Sequence, residues 1–195
     1  MFGERKLNRC QQTAIFMDMY FPDLRSDPIH STTKLNNFPE IIYLENTYSR
    51  RSVMRDPDFM YIFTDNNERT SAPTAMEENV DKTSWYYKKY KPLTDKPIHY
   101  GSLSNPTSAI IRGLNNAYPI STMSAYGTNW MPDEFDLFVC VINDEIEQIK
   151  KDAIKFRGIK LMKYKIGQGG RFARLPLRFQ SYLDARLKDI EIDNK

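Results

Sequence analysis

The chain has 195 residues, 41% of them hydrophobic and 27% charged, which is enough for one globular domain with a buried core. A net charge of +3 is too small for a protein that holds DNA or RNA along an extended basic surface. Cys10 and Cys140 are the only cysteines and lie far apart, so neither a disulfide framework nor a metal site is expected.

Residues 1–39 are predicted to form an irregular N-terminal arm. Asn8 to Phe21 mixes apolar and polar residues in a pattern compatible with a short helix, and Pro22 and Pro28 then interrupt regular structure. We expect the arm to pack on the domain or on a partner, and residues 40–195 to form the domain itself.

The first half of the domain contains two predicted strands. Ile41–Leu44 is a short β-rich run, and Phe59–Phe63 is apolar along its whole length, as in a strand covered on both faces. Between the two strands, Ser49 is placed to cap a short helical turn.

A polar insertion is predicted at about residues 72–104, and it contains the aromatic and basic segment Trp85–Tyr90. One interpretation of this segment is a surface on which nucleobases stack. The other interpretation, which we favour, is a short helix that packs its aromatic rings on the core.

The second half begins with a predicted strand at Ala117–Met123, and Pro132 then opens the clearest helix of the chain. In this helix, apolar residues recur three or four positions apart and form one stripe. The stripe consists of Phe135, Phe138, Ile142, Ile146 and Ile149. The acidic residues Asp144, Glu145 and Glu147 of the same helix are expected to face solvent.

Three further segments complete the domain. Ile159–Ile166 alternates apolar and basic residues and is predicted to be a strand. Gly167–Gly170 predicts a tight turn, and Pro176–Ile190 predicts a final amphipathic helix.

Strands therefore alternate with helices, which predicts a single layered α/β domain with a mostly parallel or mixed sheet flanked by helices. In such sheets, ligands bind outside the carboxyl ends of the strands. Three polar loops follow a predicted strand or precede a predicted helix: Thr64–Ser71, Asn105–Ser108 and Gly167–Arg171. If the sheet is parallel, these loops converge on one cleft.

The residues of these loops suit a ligand that carries phosphate, sugar or base. Asp65 can accept hydrogen bonds from a ribose or an exocyclic amine, or it can close an Asx turn. Arg69 and Arg112 can each fork onto a phosphate or carboxylate, and an internal pair of Arg112 with Asp65 or another acid is the alternative.

Other polar residues of the loops could likewise bind a ligand or have a structural role. Thr107 and Ser108 are placed to cap a helix whose free N–H groups bind an anion. Asn115 and Asn116 either read a base edge or hold a turn, and the glycine turn allows close approach to a phosphate. The complete candidate set is Asp65, Asn66, Arg69, Ser108, Arg112, Asn115, Asn116, Gly167, Gly169 and Gly170. We assign no catalytic residue, metal or cofactor.

Several short blocks occur in an order that resembles uncharacterised proteins of large bacteriophages, whose pattern is YVFxDN…RTSG…AVIRGLxNAxPIxT. The blocks are Glu45–Val53, Tyr61–Asn66, Arg69–Ser71, Ala109–Ala117 and Pro119–Thr122. The resemblance implies a phage origin and a distant likeness to macro domains, and it implies no particular activity. Shorter members of that group carry a GGQA block where this chain has Asn105–Ala109.

Two hypotheses of function follow, and whether the chain is an enzyme stays open. The first is binding of a nucleotide-like or ADP-ribose-like small molecule in the host cytoplasm, to counter host defence or to alter host nucleotide metabolism. The alternative is a non-enzymatic interaction protein or virion-associated protein with a host or phage protein as partner. No apolar run of membrane-spanning length and no signal peptide is visible, so no membrane partner is expected.

Overall fold

The computed structural model describes residues 39–44, 48–69, 80–93, 97–100, 108–125, 127–162, 166 and 174–192. The predicted N-terminal arm, apart from Pro39, and the Gly167–Gly170 turn lie outside the described residues. The predicted polar insertion is described only in part, at residues 80–93 and 97–100.

The described residues form a parallel four-stranded sheet with the order β1-β4-β2-β3. Its strands are β1 (Glu40–Leu44), β2 (Phe59–Asn66), β3 (Ala117–Met123) and β4 (Gly158–Met162). The predicted α/β fold with a mostly parallel sheet is therefore confirmed. The predicted end of the fourth strand at Ile166 was wrong, because Ile166 lies in a turn, where its carbonyl accepts a hydrogen bond from Gln180 Nε2 at 2.9 Å.

Four α-helices of the described residues lie at predicted positions. They are α1 (Arg50–Met54), α2 (Trp85–Tyr90), α3 (Phe135–Ala153) and α4 (Leu177–Ile192). Ser49 caps α1 through a reciprocal pair of hydrogen bonds with Ser52, so two of the N–H groups at the start of α1 are satisfied. One 3₁₀ turn, Pro132–Glu134, precedes α3.

The sheet is covered on both faces, because successive residues of its strands point to opposite sides. On one face, Met60 and Ile62 of β2 pack with α3 and α4. On the other face, Tyr61 and Phe63 pack with α1 and α2. The continuous apolar run of β2 is explained by these two cores.

Among the described residues, no strand pairs with the outer edge of β3, and side chains bond to its backbone at Ser121 instead. Ser121 directs its backbone N–H and C=O away from β2, and these groups bond to the Glu145 carboxylate at 2.8 Å and the Trp130 indole N–H at 3.2 Å. Two positions earlier, Pro119 has no N–H to satisfy. A carboxylate and an indole thus take the place of a neighbouring strand.

Candidate functional site

The carboxyl ends of β2 and β3 bring several predicted site residues together. The parallel register places Asp65 opposite Ser121, and it shifts between Asp65 and Asn66. The side chains of Asp65, Asn66, Arg69 and Ser121 are all buried there.

Arg112 forms a two-pronged ion pair with Asp65. A single 3₁₀ turn, Ser108–Ile111, lies next to β2 and leads directly into Arg112. Arg112 Nε donates to Asp65 Oδ2 at 2.9 Å, and Nη2 donates to Asp65 Oδ1. Arg112 Nη1 donates to the carbonyl oxygen of His99 at 2.7 Å, so each guanidinium nitrogen has an acceptor. The planar fork of arginine suits this bidentate arrangement.

Asp65 also accepts hydrogen bonds from two uncharged donors. The Tyr86 hydroxyl, carried by α2, donates to Asp65 Oδ2 at 2.6 Å, and the backbone N–H of Asn66 donates to Oδ1 at 2.8 Å. Burial works to raise the pKa of Asp65, but the charges of Arg112 and Arg69 outweigh it and hold that pKa below its usual value. Asp65 is therefore an ionised, fully bonded carboxylate.

Arg69 joins the two sides of the sheet. Its Nη1 donates to the carbonyl oxygen of Asn66 at 3.0 Å and lies 3.6 Å from Asp65 Oδ2, while Nη2 pairs with Glu145 of α3. The guanidinium carbon lies 4.3 Å from the centre of the Tyr90 ring, a cation–π distance. Arg69 thus links α2 to α3 across the carboxyl end of the sheet.

Glu145 corrects one expectation from the sequence, because it is buried instead of facing solvent. Its carboxylate accepts hydrogen bonds from the backbone N–H of Ser121 at 2.8 Å and from the Ser121 hydroxyl at 2.6 Å, besides the pair with Arg69. Burial raises the pKa of Glu145, and Arg69 and Ser121 only partly oppose it. Two arginines and two carboxyl groups therefore form one buried network.

The paired asparagines lie at the amino end of β3, away from this network. Asn116 Nδ2 donates to the backbone carbonyls of Val53, Asp56 and Phe59 at 3.0–3.2 Å. Asn115 is exposed, and its carbonyl accepts a hydrogen bond from the Trp85 indole at 3.1 Å. Their contacts hold the turn into β3, which is the second of their two predicted roles.

The other predicted site residues are described only in part. Ser108 begins a 3₁₀ turn of four residues, so the helix that it was predicted to cap is only this single turn. Gly167, Gly169 and Gly170 lie outside the described residues, so their approach to the network stays a prediction. Across the described part of the chain, no group of three or more His, Cys, Asp or Glu side chains is arranged to hold a metal ion.

Sequence reasoning missed Glu145, a member of the network, and Tyr86, which donates a hydrogen bond to Asp65. Glu145 carried a usable signal, because it lies seven residues after Phe138 and four before Ile149, on the apolar stripe of α3. A charged residue on a buried stripe predicts a buried partner of opposite charge. Tyr86 carried no comparable signal within its aromatic segment.

The sequence profile of a family of unknown function, DUF7831, matches residues 43–179. The match covers more than half of the chain, so the protein belongs to this family. No curated protein and no solved structure shows significant similarity to the chain. None of the described helices has the length and apolar character needed to cross a membrane.

Proposed function

We propose that this DUF7831 protein binds a nucleotide-like small molecule at the carboxyl end of its parallel sheet. Parallel α/β sheets take their ligands at that end, where the loops after the strands surround a crevice. Asp65, Asn66 and Arg69 lie there, and the predicted glycine turn comes after β4 in the sequence; β4 is the neighbour of β2 in the sheet.

The observation that carries this proposal is the buried network of two arginines and two carboxyl groups. Removing four ionisable groups from water is costly, and apolar residues of similar size usually give equal or greater stability. Such clusters of perturbed ionisable groups are common at functional sites. The network is therefore more readily explained by a site than by stability alone.

Within this proposal, Asp65 and Arg112 do not have the ligand-binding roles that the sequence analysis expected. Asp65 and Arg112 form hydrogen bonds with each other, so their role is to stabilise the structure of the site instead of binding the ligand directly. Arg69 lies in the loop after β2, which ends at Asn66, so it is the network member placed in a loop at the carboxyl end of the sheet. The resemblance to phage proteins extends the proposal to an ADP-ribose-like ligand and to a role against host defence or in host nucleotide metabolism.

Thermal unfolding of the full chain in the presence of nucleosides, nucleotides, cyclic nucleotides and ADP-ribose tests the proposal. A ligand at a hundredfold excess over its Kd should raise Tm by about 5 °C or more for a chain of this size. Calorimetric titration would then confirm one site per chain. A folded protein whose Tm none of these compounds changes would contradict the proposal.

A second function is interaction with a host or phage protein. It is favoured because the hydrogen-bonding groups of Asp65 and Arg112 have partners within the protein. Residues that use their donors and acceptors on each other also fit a purely structural role. A tagged full-length chain recovered from infected cells, together with mass spectrometry of purified virus particles, distinguishes the two functions. A stoichiometric protein partner in the absence of any nucleotide effect would support this second function.

A further inference from the structure

Two loops meet at the amino end of the sheet, opposite the end of the proposed nucleotide site. Residues 55–58 join α1 to β2, and residues 154–157 join α3 to β4. The two helices lie on opposite faces of the sheet, but the two strands are neighbours. The backbone N–H of Arg157 donates to the carbonyl oxygen of Asp58 at 2.8 Å. The two loops therefore form one continuous surface.

At the end of each of these helices, a large apolar side chain is exposed. Met54 is the last residue of α1 and Ile154 follows the last residue of α3, and each is 61% exposed. A single exposed apolar residue is common on protein surfaces. Two of them on one surface beside arginines match the composition of protein interfaces, in which methionine and arginine are enriched.

The unpaired charge of this surface is positive. Two acids at this end of the sheet pair with lysines: Asp56 with Lys160, and Asp152 with Lys155. Arg55 and Arg157 are exposed, and in the described part of the chain neither guanidinium has an ion-pair partner. Asp58 is also exposed and has no such partner among these residues. The two loops therefore present two free arginines and one free carboxylate.

Arg157 lies against the start of β2. Its guanidinium carbon is 5.8 Å from the centre of the Phe59 ring, within the range of a cation–π contact. The ring lies over Gly158, where an added Cβ would come within 2.9 Å of it. Because this contact already favours one position of Arg157, less conformational entropy is lost when a carboxylate pairs with it.

The number of unpaired cations decides what kind of partner fits this surface. Anionic membranes are bound by clusters of about four to eight basic residues. Single-stranded nucleic acids require a basic groove and aromatic rings on which the bases stack. Two arginines beside Met54 and Ile154 meet neither requirement, but each arginine can form a two-pronged pair with a carboxylate. Complementary charges of this kind steer the association of proteins.

We propose that the amino end of the sheet is a docking surface for an acidic segment of a partner protein. The segment places apolar side chains against Met54 and Ile154, and it places carboxylates on Arg55 and Arg157. This surface is separate from the proposed nucleotide site, so the inference goes beyond that function and does not depend on it.

Fluorescence anisotropy of a labelled peptide that alternates glutamate with leucine tests the inference on the full chain. The protein should bind this peptide at low salt. A peptide that alternates glutamate with serine should bind more weakly, because it has no large apolar side chains to bury. No binding of the glutamate–leucine peptide, or equal binding of the two peptides, would overturn the inference.

Charge reversal locates the binding surface. In the double variant Arg55→Glu with Arg157→Glu, we expect the Kd of the glutamate–leucine peptide to rise at least about tenfold, because like charges then face each other. Arg174→Glu with Arg178→Glu is the matched control, since both residues are exposed and Arg178, like Arg157, lies against an aromatic ring. The control should leave the Kd nearly unchanged. Equal weakening in the two double variants would indicate attraction to the chain's overall charge and would contradict the inference.

Two phosphate-bearing probes complete the experiment, a single-stranded oligonucleotide and vesicles that contain phosphatidylserine. If either binds more tightly than the glutamate–leucine peptide and loses affinity in Arg55→Glu with Arg157→Glu, the surface serves a nucleic acid or a membrane and the inference is wrong. Any effect of nucleotides on Tm should be the same in this double variant as in the unmodified chain. The failure of one proposal is therefore distinguishable from the failure of the other.

Discussion

The two ends of the parallel sheet carry similar groups in different surroundings. At the carboxyl end, Asp65 is bonded to Arg112 and to the Tyr86 hydroxyl at 2.6 Å. At the amino end, Asp56 is bonded to Lys160 and to the hydroxyl of Tyr61, also at 2.6 Å.

Burial is what separates the two clusters. At the carboxyl end the exposed fractions of the Asp65 and Arg112 side chains are 0% and 1%, whereas at the amino end those of Asp56 and Lys160 are 30% and 19%. Water can solvate either partner of the exposed pair if the other is lost. In the buried pair, the remaining partner would stay charged and uncompensated. The same chemistry should therefore matter far more at the carboxyl end.

The largest effect is expected from Arg112→Met, which leaves Asp65 buried without its main counter-charge. We expect the free energy of unfolding to fall by about 3–5 kcal/mol, measured by urea denaturation. Arg112→Lys should lose less, because the charge remains while the two-pronged geometry is lost. A loss below about 1 kcal/mol for Arg112→Met would show that the network tolerates the removal of its central pair.

A smaller effect is expected from Tyr86→Phe, which removes one hydrogen bond to the buried Asp65. The expected loss is about 1–3 kcal/mol, because the acceptor is charged and inaccessible to water. Tyr61→Phe is the matched change at the amino end, and it should cost less because water can replace the hydroxyl at Asp56. Equal losses in the two variants would remove the contrast between the clusters.

The two buried carboxyl groups should change the free energy of unfolding in opposite directions as pH rises. The pKa of Asp65 is lowered from its ordinary 3.8, so its stabilisation is present above that pH and is lost as pH falls below it. The pKa of Glu145 is raised from 4.5, so stability should decline as pH rises from 4.5 through the folded-state pKa. Urea titrations at a series of pH values should show that the decline in stability above pH 4.5 disappears in Glu145→Gln. Its persistence would assign the decline to another group.

The smallest effect is expected from Lys160→Met at the amino end. Because Asp56 is accessible to water, the loss should be about 1 kcal/mol or less in the same urea titration. A loss as large as that of Arg112→Met would mean that partial exposure does not protect the amino-end cluster.

The sequence predicted the layers of the fold well, because those depend on local periodicity. The apolar run of β2 and the stripe of α3 each indicated an element and its buried faces. The limits of elements were less accurate, because Ile166, the predicted end of the fourth strand, lies in a turn and its carbonyl is bonded to the distant Gln180 side chain.

The candidate site was predictable only as a set of polar residues near one another. That Asp65 and Arg112 pair with each other depends on a contact between residues 47 positions apart, and both possibilities were compatible with the sequence. To predict that Glu145 pairs with Arg69, its position on the apolar stripe of α3 would have to be combined with a contact to a residue 76 positions away. Pairing partners are set by tertiary geometry, which single-sequence patterns do not contain.

The bonded edge of β3 at Ser121 also affects whether the protein can pair with strands of other chains. A foreign strand cannot pair with Ser121 unless it first displaces the Glu145 carboxylate and the Trp130 indole. Glu145 thus helps to prevent edge-to-edge aggregation as well as balancing Arg69. A substitution that removes its carboxylate would uncover a ready template for misassembly at the same time as it weakens the fold.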